Sequence, residues 1–292
     1  MVYSFFIPID YTDLKPLNFL FCYIVKSFLH YKIGNKERLK IMIDTHSHIN
    51  FEDYKENFDT FLQNIKDNDV EAVIIPGVEP STFNEIISYC EKYEMLYGAI
   101  GVHPSEAKTF DDKTQERIYE LAKHNKVIAI GEIGLDYYWE QETKELQKEV
   151  FRKQLKIAEE LNLPVLIHDR EAHEDTFEII QEFNLKNVIF HCFSGNAEFA
   201  QKCIEKGFYI AIGGVVTFKN AKDLKEVAKI VPLEKLVLET DAPYLAPVPF
   251  RGKLNTPAYL KYIAEEIANL KEIDVELVKE QTTLNAKRIF GI

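Results

Sequence analysis

The chain has 292 residues, with 35 Lys and Arg against 47 Asp and Glu, so its formal net charge is −12. Its 46% hydrophobic and 28% charged residues are ordinary for a soluble globular protein with a sizeable core, in one large domain or two. The acidic balance argues against a broad basic nucleic-acid groove, so any polyanion would have to be held locally, for example by a bound metal.

Residues 1 to 41 do not fit the pattern of the rest of the chain. The apolar stretch from Pro16 to Leu29 is too short to span a bilayer, carries Lys26, and is not followed by a small-residue cleavage signature. Lys36-Glu37-Arg38, shortly before Met42, is what a purine-rich ribosome-binding sequence would encode. We therefore predict a non-native or disordered extension over residues 1–41, a native start at Met42, and a folded domain over 42–292.

From residue 41 the chain alternates between short β-branched runs and amphipathic stretches with apolar residues at three- and four-residue spacing. The runs that predict strands are Ile41 to Thr45, Glu71 to Pro76, Leu96 to Val102, Val127 to Gly131, Pro164 to His168, Asn187 to His191, Phe208 to Gly213 and Lys235 to Glu239. The stretches that predict helices are Asn57 to Lys66, Thr82 to Lys92, Gln115 to Lys123, Thr143 to Leu161, Ala172 to Phe183, Ala197 to Lys206, Ala221 to Val231, Pro257 to Leu270 and Val275 to Phe290.

Eight strand-then-helix units over about 250 residues predict an α/β fold of the (β/α)8 TIM-barrel type. The alternative is a doubly wound open sheet. It is disfavoured because no Gly-rich phosphate loop follows a predicted strand.

Two histidines, His46 and His48, directly follow the first apolar run. In a strand, side chains alternate between faces and advance roughly 3.3 Å per residue, so both rings would project the same way and could share one cation. An isolated His-x-His pair is more often a surface or satisfied core pair, so the prediction depends on further ligands.

Further ionisable residues follow the later runs. Glu132 follows the fourth run, His168 and His191 end the fifth and sixth, and Asp241 lies just past the eighth. Each one alone could be structural, as a helix cap or a turn residue. Because the carboxyl ends of barrel strands open onto one mouth, all six side chains together predict a metal centre there.

The residue mixture suits hydrolysis by two divalent cations. A carboxylate that touches both ions, for which Glu132 is the candidate, would offset their mutual repulsion, and four neutral imidazoles would hold the ions without cancelling their charge. Two dications against two carboxylates leave about +2, which would attract a phosphate. A metal-bound water has its pKa brought towards ~7, and Asp241 could accept its proton. Glu132 and Asp241 are therefore the predicted catalytic residues.

Taken together, the motifs resemble the TatD family of metal-dependent deoxyribonucleases, and the resemblance runs from Met42 to the C-terminus. The motifs are His46-Ser-His48, Gly101-Val-His103-Pro, Gly131-Glu-Ile-Gly-Leu-Asp136, Pro164-Val-Leu-Ile-His168, His191-Cys-Phe-Ser-Gly195, Glu239-Thr-Asp-Ala-Pro-Tyr244 and Arg251-Gly-Lys-Leu-Asn255.

The resemblance implies a TIM-barrel hydrolase of the amidohydrolase superfamily that cleaves DNA phosphodiesters, typically as a cytoplasmic magnesium-dependent exonuclease. It also implies two metal ions that share Glu132 as a ligand. The ligands of the first ion would be His46, His48, Glu132 and Asp241, and those of the second Glu132, His168 and His191.

Three more residues are predicted to bind substrate. His103 ends the third run and could hydrogen-bond a phosphate oxygen, although a His before Pro104 could also stabilise a turn. Arg170 and Arg251 could clamp phosphate through their planar donor forks, but exposed arginines are often only solvated surface. The Tyr137-Tyr138-Trp139 cluster could stack bases or simply pack on the rim.

The sequence alone leaves two identities open, that of the metal and that of the substrate. Imidazole-rich sites favour zinc, manganese or iron, whereas the family resemblance implies magnesium. The same centre could instead hydrolyse an amide, a lactone or an aminoacyl ester, or be a metal-binding scaffold without turnover. No membrane association and no obligate protein partner is predicted.

Cysteine usage is consistent with a reducing cytoplasm, because Cys22, Cys90, Cys192 and Cys203 show no Cys-x-x-Cys spacing. Cys192 adjoins His191, and a regular strand would point its thiol to the opposite face.

Overall fold

A computed structural model describes residues 41–139 and 141–292. In these residues eight parallel strands form one sheet in simple chain order. They are β1 (Met42–Asp44), β2 (Val70–Pro76), β3 (Leu96–Ile100), β4 (Val127–Asp136), β5 (Val165–Arg170), β6 (Val188–Phe190), β7 (Tyr209–Ile212) and β8 (Leu236–Leu238). This order confirms the predicted (β/α)8 barrel, because the strand order of a doubly wound sheet reverses at a switch point.

The barrel is nearly closed by contacts between its first and last strands. The backbone N–H and the side-chain hydroxyl of Thr45 both donate to the carbonyl of Leu238, each at 3.0 Å. Every other neighbouring pair of strands is joined by a parallel ladder. The carboxyl ends of all eight strands therefore surround one opening.

Ten α-helices lie in the described part of the chain. They are α1 (Glu52–Lys55), α2 (Phe58–Asp67), α3 (Phe83–Lys92), α4 (Asp112–Leu121), α5 (Lys144–Leu161), α6 (His173–Ile180), α7 (Ala197–Glu205), α8 (Lys222–Ile230), α9 (Leu260–Lys271) and α10 (Val275–Phe290). The helix predicted from Gln115 begins three residues earlier, because the carboxylate of Asp111 accepts the backbone N–H of Thr114 at 2.8 Å and caps it. Helix α1 lies outside the predicted helices.

Two apolar layers separate the inside of the barrel from the ring of helices. In β2, Ile74 faces the interior, whereas Val73 and Ile75 face the helices. Ile289 and Phe290 of α10 belong to the interior cluster and close the N-terminal end of the barrel. The interior is thus filled, and access is left at the C-terminal end, as in other TIM barrels.

One strand differs from its predicted extent in a way that matters for the site. β4 continues to Asp136, so that Glu132 lies inside the strand, and the pairing with β5 skips from Ile130 to Ile133. A bulge of this kind redirects a side chain locally. Glu132 is consequently buried near the centre of the barrel mouth.

The prediction about residues 1–41 lies outside the described residues, apart from Ile41, whose carbonyl accepts the hydroxyl of Thr283 at 2.8 Å. Among the helices of residues 41–139 and 141–292, none combines the length and the apolar character that a membrane span needs.

The role of α10 in closing the barrel can be tested with two substitutions of similar size. Ile289→Ala should lower the free energy of unfolding by about 2–5 kcal/mol, because it leaves a cavity in the interior cluster. Leu284→Ala, on the exposed side of the same helix, should change it by at most about 0.5 kcal/mol. Urea denaturation measures both, and equal losses would contradict the assignment of Ile289 to the barrel core.

Candidate metal centre

Six predicted ligand side chains meet at the C-terminal mouth of the barrel. Glu132 comes from β4 and His168 from β5, and the others come from the loops that follow β1, β6 and β8. Those loop residues are His46, His48, His191 and Asp241. His168 and Asp241 are half-buried and the remaining four are buried.

The two oxygens of the Glu132 carboxylate face two separate sets of histidines. Oε2 lies 3.2 Å from Nε2 of His46 and 3.8 Å from Nε2 of His48. Oε1 lies 2.7 Å from Nδ1 of His168 and 2.9 Å from Nε2 of His191. One carboxylate is therefore shared between two ligand groups.

Asp241 joins the first of these groups. Its Oδ1 lies 3.5 Å from Nε2 of His48 and 3.8 Å from Nε2 of His46. The two imidazole nitrogens are themselves 3.3 Å apart. They converge although His46 and His48 lie beyond the end of β1, so the alternation of a regular strand, from which their proximity was predicted, is not its cause.

This donor set fits divalent cations. Imidazole nitrogens and carboxylate oxygens converge on shared space, and the donor atoms of His46, His48 and Glu132 all lie within 4.8 Å of one another. His46 and His191 stack with ring centroids 3.7 Å apart, an arrangement that disfavours two imidazolium rings. The buried Nδ1 atom of His46 has no hydrogen-bond partner among the described residues.

The carboxylates of the centre are kept ionised. Burial alone would raise the pKa of Glu132, but the neighbouring His191 and His46 outweigh it and hold that pKa well below its usual value. For Asp241, burial is likewise outweighed by the hydrogen bond with His48 and the charge of His191, which lower its pKa. Both groups are thus negative at neutral pH, as cation ligands must be.

Two further carboxylates orient the ligand histidines from behind. Oδ2 of Asp136 lies 3.1 Å from Nε2 of His168, and Oε1 of Glu239 lies 3.5 Å from Nδ1 of His191. Such partners fix the ring orientation and the tautomer of a ligand. Sequence reasoning missed Asp136, although it closes the Gly131-to-Asp136 motif.

The loops that follow β1 and β8 are joined by a buried carboxylate. Asp44 accepts the backbone N–H groups of His46 at 3.2 Å and Thr240 at 3.0 Å. The carbonyl of His46 in turn accepts the backbone N–H of Asp241 at 2.9 Å. Asp44 therefore holds the backbone that carries the ligands and not a ligand ring.

Two buried glutamines of α5 hold the neighbouring strand ends. The Gln154 amide bonds both backbone groups of Val102, at 2.7 and 3.0 Å, and the Gln147 amide bonds both of Asp136, at 2.8 and 3.1 Å. They fix the residue before His103 and the residue that orients His168. Sequence reasoning missed them, although polar residues seven apart on the apolar face of a predicted helix are a detectable signal.

His103 also faces the centre. Its Nε2 lies 3.6 Å from Oε1 of Glu132, and its ring centroid lies 4.3 Å from that of His168. Burial, followed by the neighbouring His168, lowers the pKa of His103 to about 3. The backbone N–H of Ser105 donates to Nδ1, so the proton of the neutral ring is on Nε2, pointing into the site as a donor.

The two predicted phosphate clamps stack on aromatic rings. Arg170, at the exposed end of β5, stacks over Tyr138 at 4.3 Å, and Arg251, in the loop after β8, stacks over Phe218 at 4.4 Å. The half-buried Cys192 also differs from prediction, since it has φ 41° and is not part of β6. Burial and the charge of Asp241 raise the pKa of its thiol.

Comparison with known proteins identifies the family. The family model described as TatD related DNase matches residues 43–291. This chain belongs to the TatD family. The predicted resemblance is thereby confirmed.

The relatives of this TatD-family protein carry hydrolase names. The uncharacterized metal-dependent hydrolase YabD of Bacillus subtilis strain 168 is 46% identical over 254 residues, covering 86% of this chain and 100% of YabD. The metal-dependent hydrolase YcfH of Escherichia coli K12 is 38% identical over 256 residues, covering 86% of this chain and 96% of YcfH. The TatD-family protein is accordingly a metal-dependent hydrolase.

Solved structures agree with the fold of this TatD-family barrel. The crystal structure of YjjV, a TatD homologue from Escherichia coli K12, superposes with a TM-score of 0.83 at 28% identity, covering 87% of this chain and 99% of YjjV. A TatD-family hydrolase from Entamoeba histolytica, 24% identical, shares the fold with a TM-score of 0.79, covering 87% and 99% of the two chains.

The shared carboxylate of this TatD-family centre gives a direct prediction. Glu132→Gln keeps the shape of the side chain but removes the negative charge that two ligand groups share, so bound metal per chain and hydrolytic activity should both fall. Circular dichroism should show an intact barrel. Elemental analysis after metal loading measures the number of metal ions bound per chain.

The matched control for this prediction is Glu71→Gln. Glu71 lies at the start of β2 and pairs with Lys287 at 2.7 Å, far from the mouth, so this variant should keep its metal. Full metal content in Glu132→Gln would show that its charge is not needed to hold the ions.

Proposed function

We propose that this protein is a deoxyribonuclease that hydrolyses DNA phosphodiester bonds, acting as an exonuclease with two divalent cations, either Mg, Mn or Zn. The observation that carries the proposal is the Glu132 carboxylate, whose two oxygens face two separate histidine groups. Two-metal centres of this kind serve phosphodiester cleavage because they stabilise the attacking and leaving oxygens together. The name of the matching family model also favours DNA.

The two sets of metal ligands correspond to the two oxygens of the Glu132 carboxylate. His46, His48 and Asp241 would hold one ion together with Oε2 of Glu132. His168 and His191 would hold the other ion together with Oε1. Asp136 and Glu239 support the second group by fixing its two rings.

The charge of the loaded centre suits a phosphate despite the acidity of the chain. Two dications carry four positive charges, and Glu132 and Asp241 return two, so about +2 remains when the histidines are neutral. This positive charge is confined to the barrel mouth, where a protein of net charge −12 would otherwise repel a polyanion.

The residues have distinct roles in the proposed reaction. Bound divalent cations supply Lewis-acid polarisation of the phosphoryl group and bring the pKa of water towards ~7. Asp241 is ionised and half-buried at the mouth, so its carboxylate can take a proton from the attacking water. His103 offers its Nε2–H to a phosphate oxygen and so positions the substrate.

One experiment separates this proposal from amide or ester hydrolysis on the same centre. Metal-loaded protein is incubated with end-labelled single-stranded DNA and, in parallel, with a panel of lactones and aminoacyl esters. Release of single nucleotides from the DNA, abolished by a chelator and restored by metal, is the expected result. Ester turnover with intact DNA would overturn the proposal.

Asp241→Asn tests the assignment of the proton acceptor. The amide can still offer an oxygen to a metal but cannot take the proton, so DNA should still bind while hydrolysis falls by roughly 10²–10⁴-fold. Single-turnover rates at saturating oligonucleotide measure the chemical step. His103→Ala is the contrasting variant and should weaken binding more than it slows that step. Near-normal cleavage by Asp241→Asn would remove its role as the base.

A further inference from the structure

Two large aromatic rings are exposed next to the metal centre. Tyr138 is 47% exposed and Trp139 is 66% exposed, directly after the end of β4. Their neighbour Tyr137 is buried, and its hydroxyl donates to Asp175 at 2.6 Å. Tyr137 therefore packs inside the protein, whereas the rings of Tyr138 and Trp139 leave apolar surface open to a ligand.

The backbone of both exposed residues is tied to the metal centre by one carboxylate. The N–H groups of Tyr138 and Trp139 each donate to Oδ1 of Asp136 at 2.9 Å. Oδ2 of the same carboxylate lies 3.1 Å from Nε2 of His168. The rings thus stand in a fixed relation to a ligand histidine, and a substrate held at the centre reaches them without further ordering of the backbone.

A cation completes this surface. The guanidinium of Arg170 lies 4.3 Å from the centre of the Tyr138 ring and 5.5 Å from that of Trp139, and the two rings meet edge to face. Arg170 is exposed, so its guanidinium is accessible to an anion from solution. We call Tyr138, Trp139 and Arg170 the aromatic ledge.

We propose that the aromatic ledge is a base-stacking subsite, which holds one unpaired nucleotide base beside the phosphate bound at the metal centre. The proposal rests on the proposed nuclease function and adds to it a subsite for the base. Exposed π faces stack on any base, and a neighbouring guanidinium suits the phosphate of the same strand. Because bases inside a duplex already stack on each other, only an unpaired base is free to occupy the ledge.

The sequence provides its own reporter for this subsite. Trp139 is the only tryptophan of the chain, so tryptophan emission reports on the ledge alone. Metal-loaded protein is titrated with a dye-labelled single-stranded phosphorothioate oligonucleotide, which resists cleavage. Tryptophan emission should be quenched over the same concentrations at which dye anisotropy shows binding. An oligonucleotide of the same length made of abasic units should bind more weakly and leave the emission nearly unchanged.

Substitutions at Trp139 test the contribution of its π face. Trp139→Leu keeps apolar bulk but not the aromatic face, so affinity for the single strand should fall by about 5- to 150-fold. Trp139→Phe keeps a stacking ring and should lose much less. On the abasic strand, Trp139→Leu and wild type should bind alike, because the base that stacks is already missing. Tyr119→Leu, on the outer helix α4, removes an aromatic ring elsewhere and should behave as wild type.

The outcomes separate this proposal from the function on which it rests. If wild type binds and cleaves single-stranded DNA while Trp139 emission stays constant, the ledge is not a stacking subsite and the nuclease assignment stands. An equal loss for Trp139→Leu on intact and abasic strands would also overturn the ledge. If no DNA is bound or cleaved while esters are hydrolysed, the proposed function fails and the ledge proposal fails with it.

Discussion

The position of one buried carboxylate determines the rest of this site. Glu132 has histidine nitrogens within 3.2 Å of each of its two oxygens, and their charge keeps it ionised against the cost of burial. A buried charge of this kind is stable only when it is paired, so the histidines and the carboxylate require one another in the folded state. The same cluster of nitrogen and oxygen atoms makes the centre suitable for cations.

The barrel holds this charged cluster by tying neighbouring loops to each other. Asp44 bonds the backbone on both sides of the junction between β1 and β8, and Gln147 and Gln154 bond the ends of β4 and β3. Each of these buried side chains hydrogen-bonds backbone N–H or C=O groups near the strand ends that would otherwise lack a partner. These hydrogen bonds fix the loops that carry the other four ligands, which keeps the donor atoms close enough to share a cation.

The acidity of the chain and its proposed anionic substrate are reconciled by where the charges lie. The net charge of −12 is spread over the whole protein, whereas the cations would be concentrated at one mouth together with Arg170. A positive charge that is confined to one site does not form the extended basic surface that contacts the phosphate backbone of a duplex. Under the proposed function, recognition would depend on the metal centre and on stacking at the aromatic ledge.

The sequence by itself determined the barrel and which ionisable residues meet, because parallel strands bring their carboxyl ends to one mouth. It also predicted His103 at the same mouth, and the Nε2 atom of His103 lies 3.6 Å from Oε1 of Glu132. Only the tertiary structure decided which oxygen of Glu132 faces which histidines, that Asp136 orients His168, and that Arg170 stacks on Tyr138. These pairings depend on a bulge in β4 and on loop backbone beyond the strand ends, where side chains no longer follow the period of two on which sequence reasoning relied.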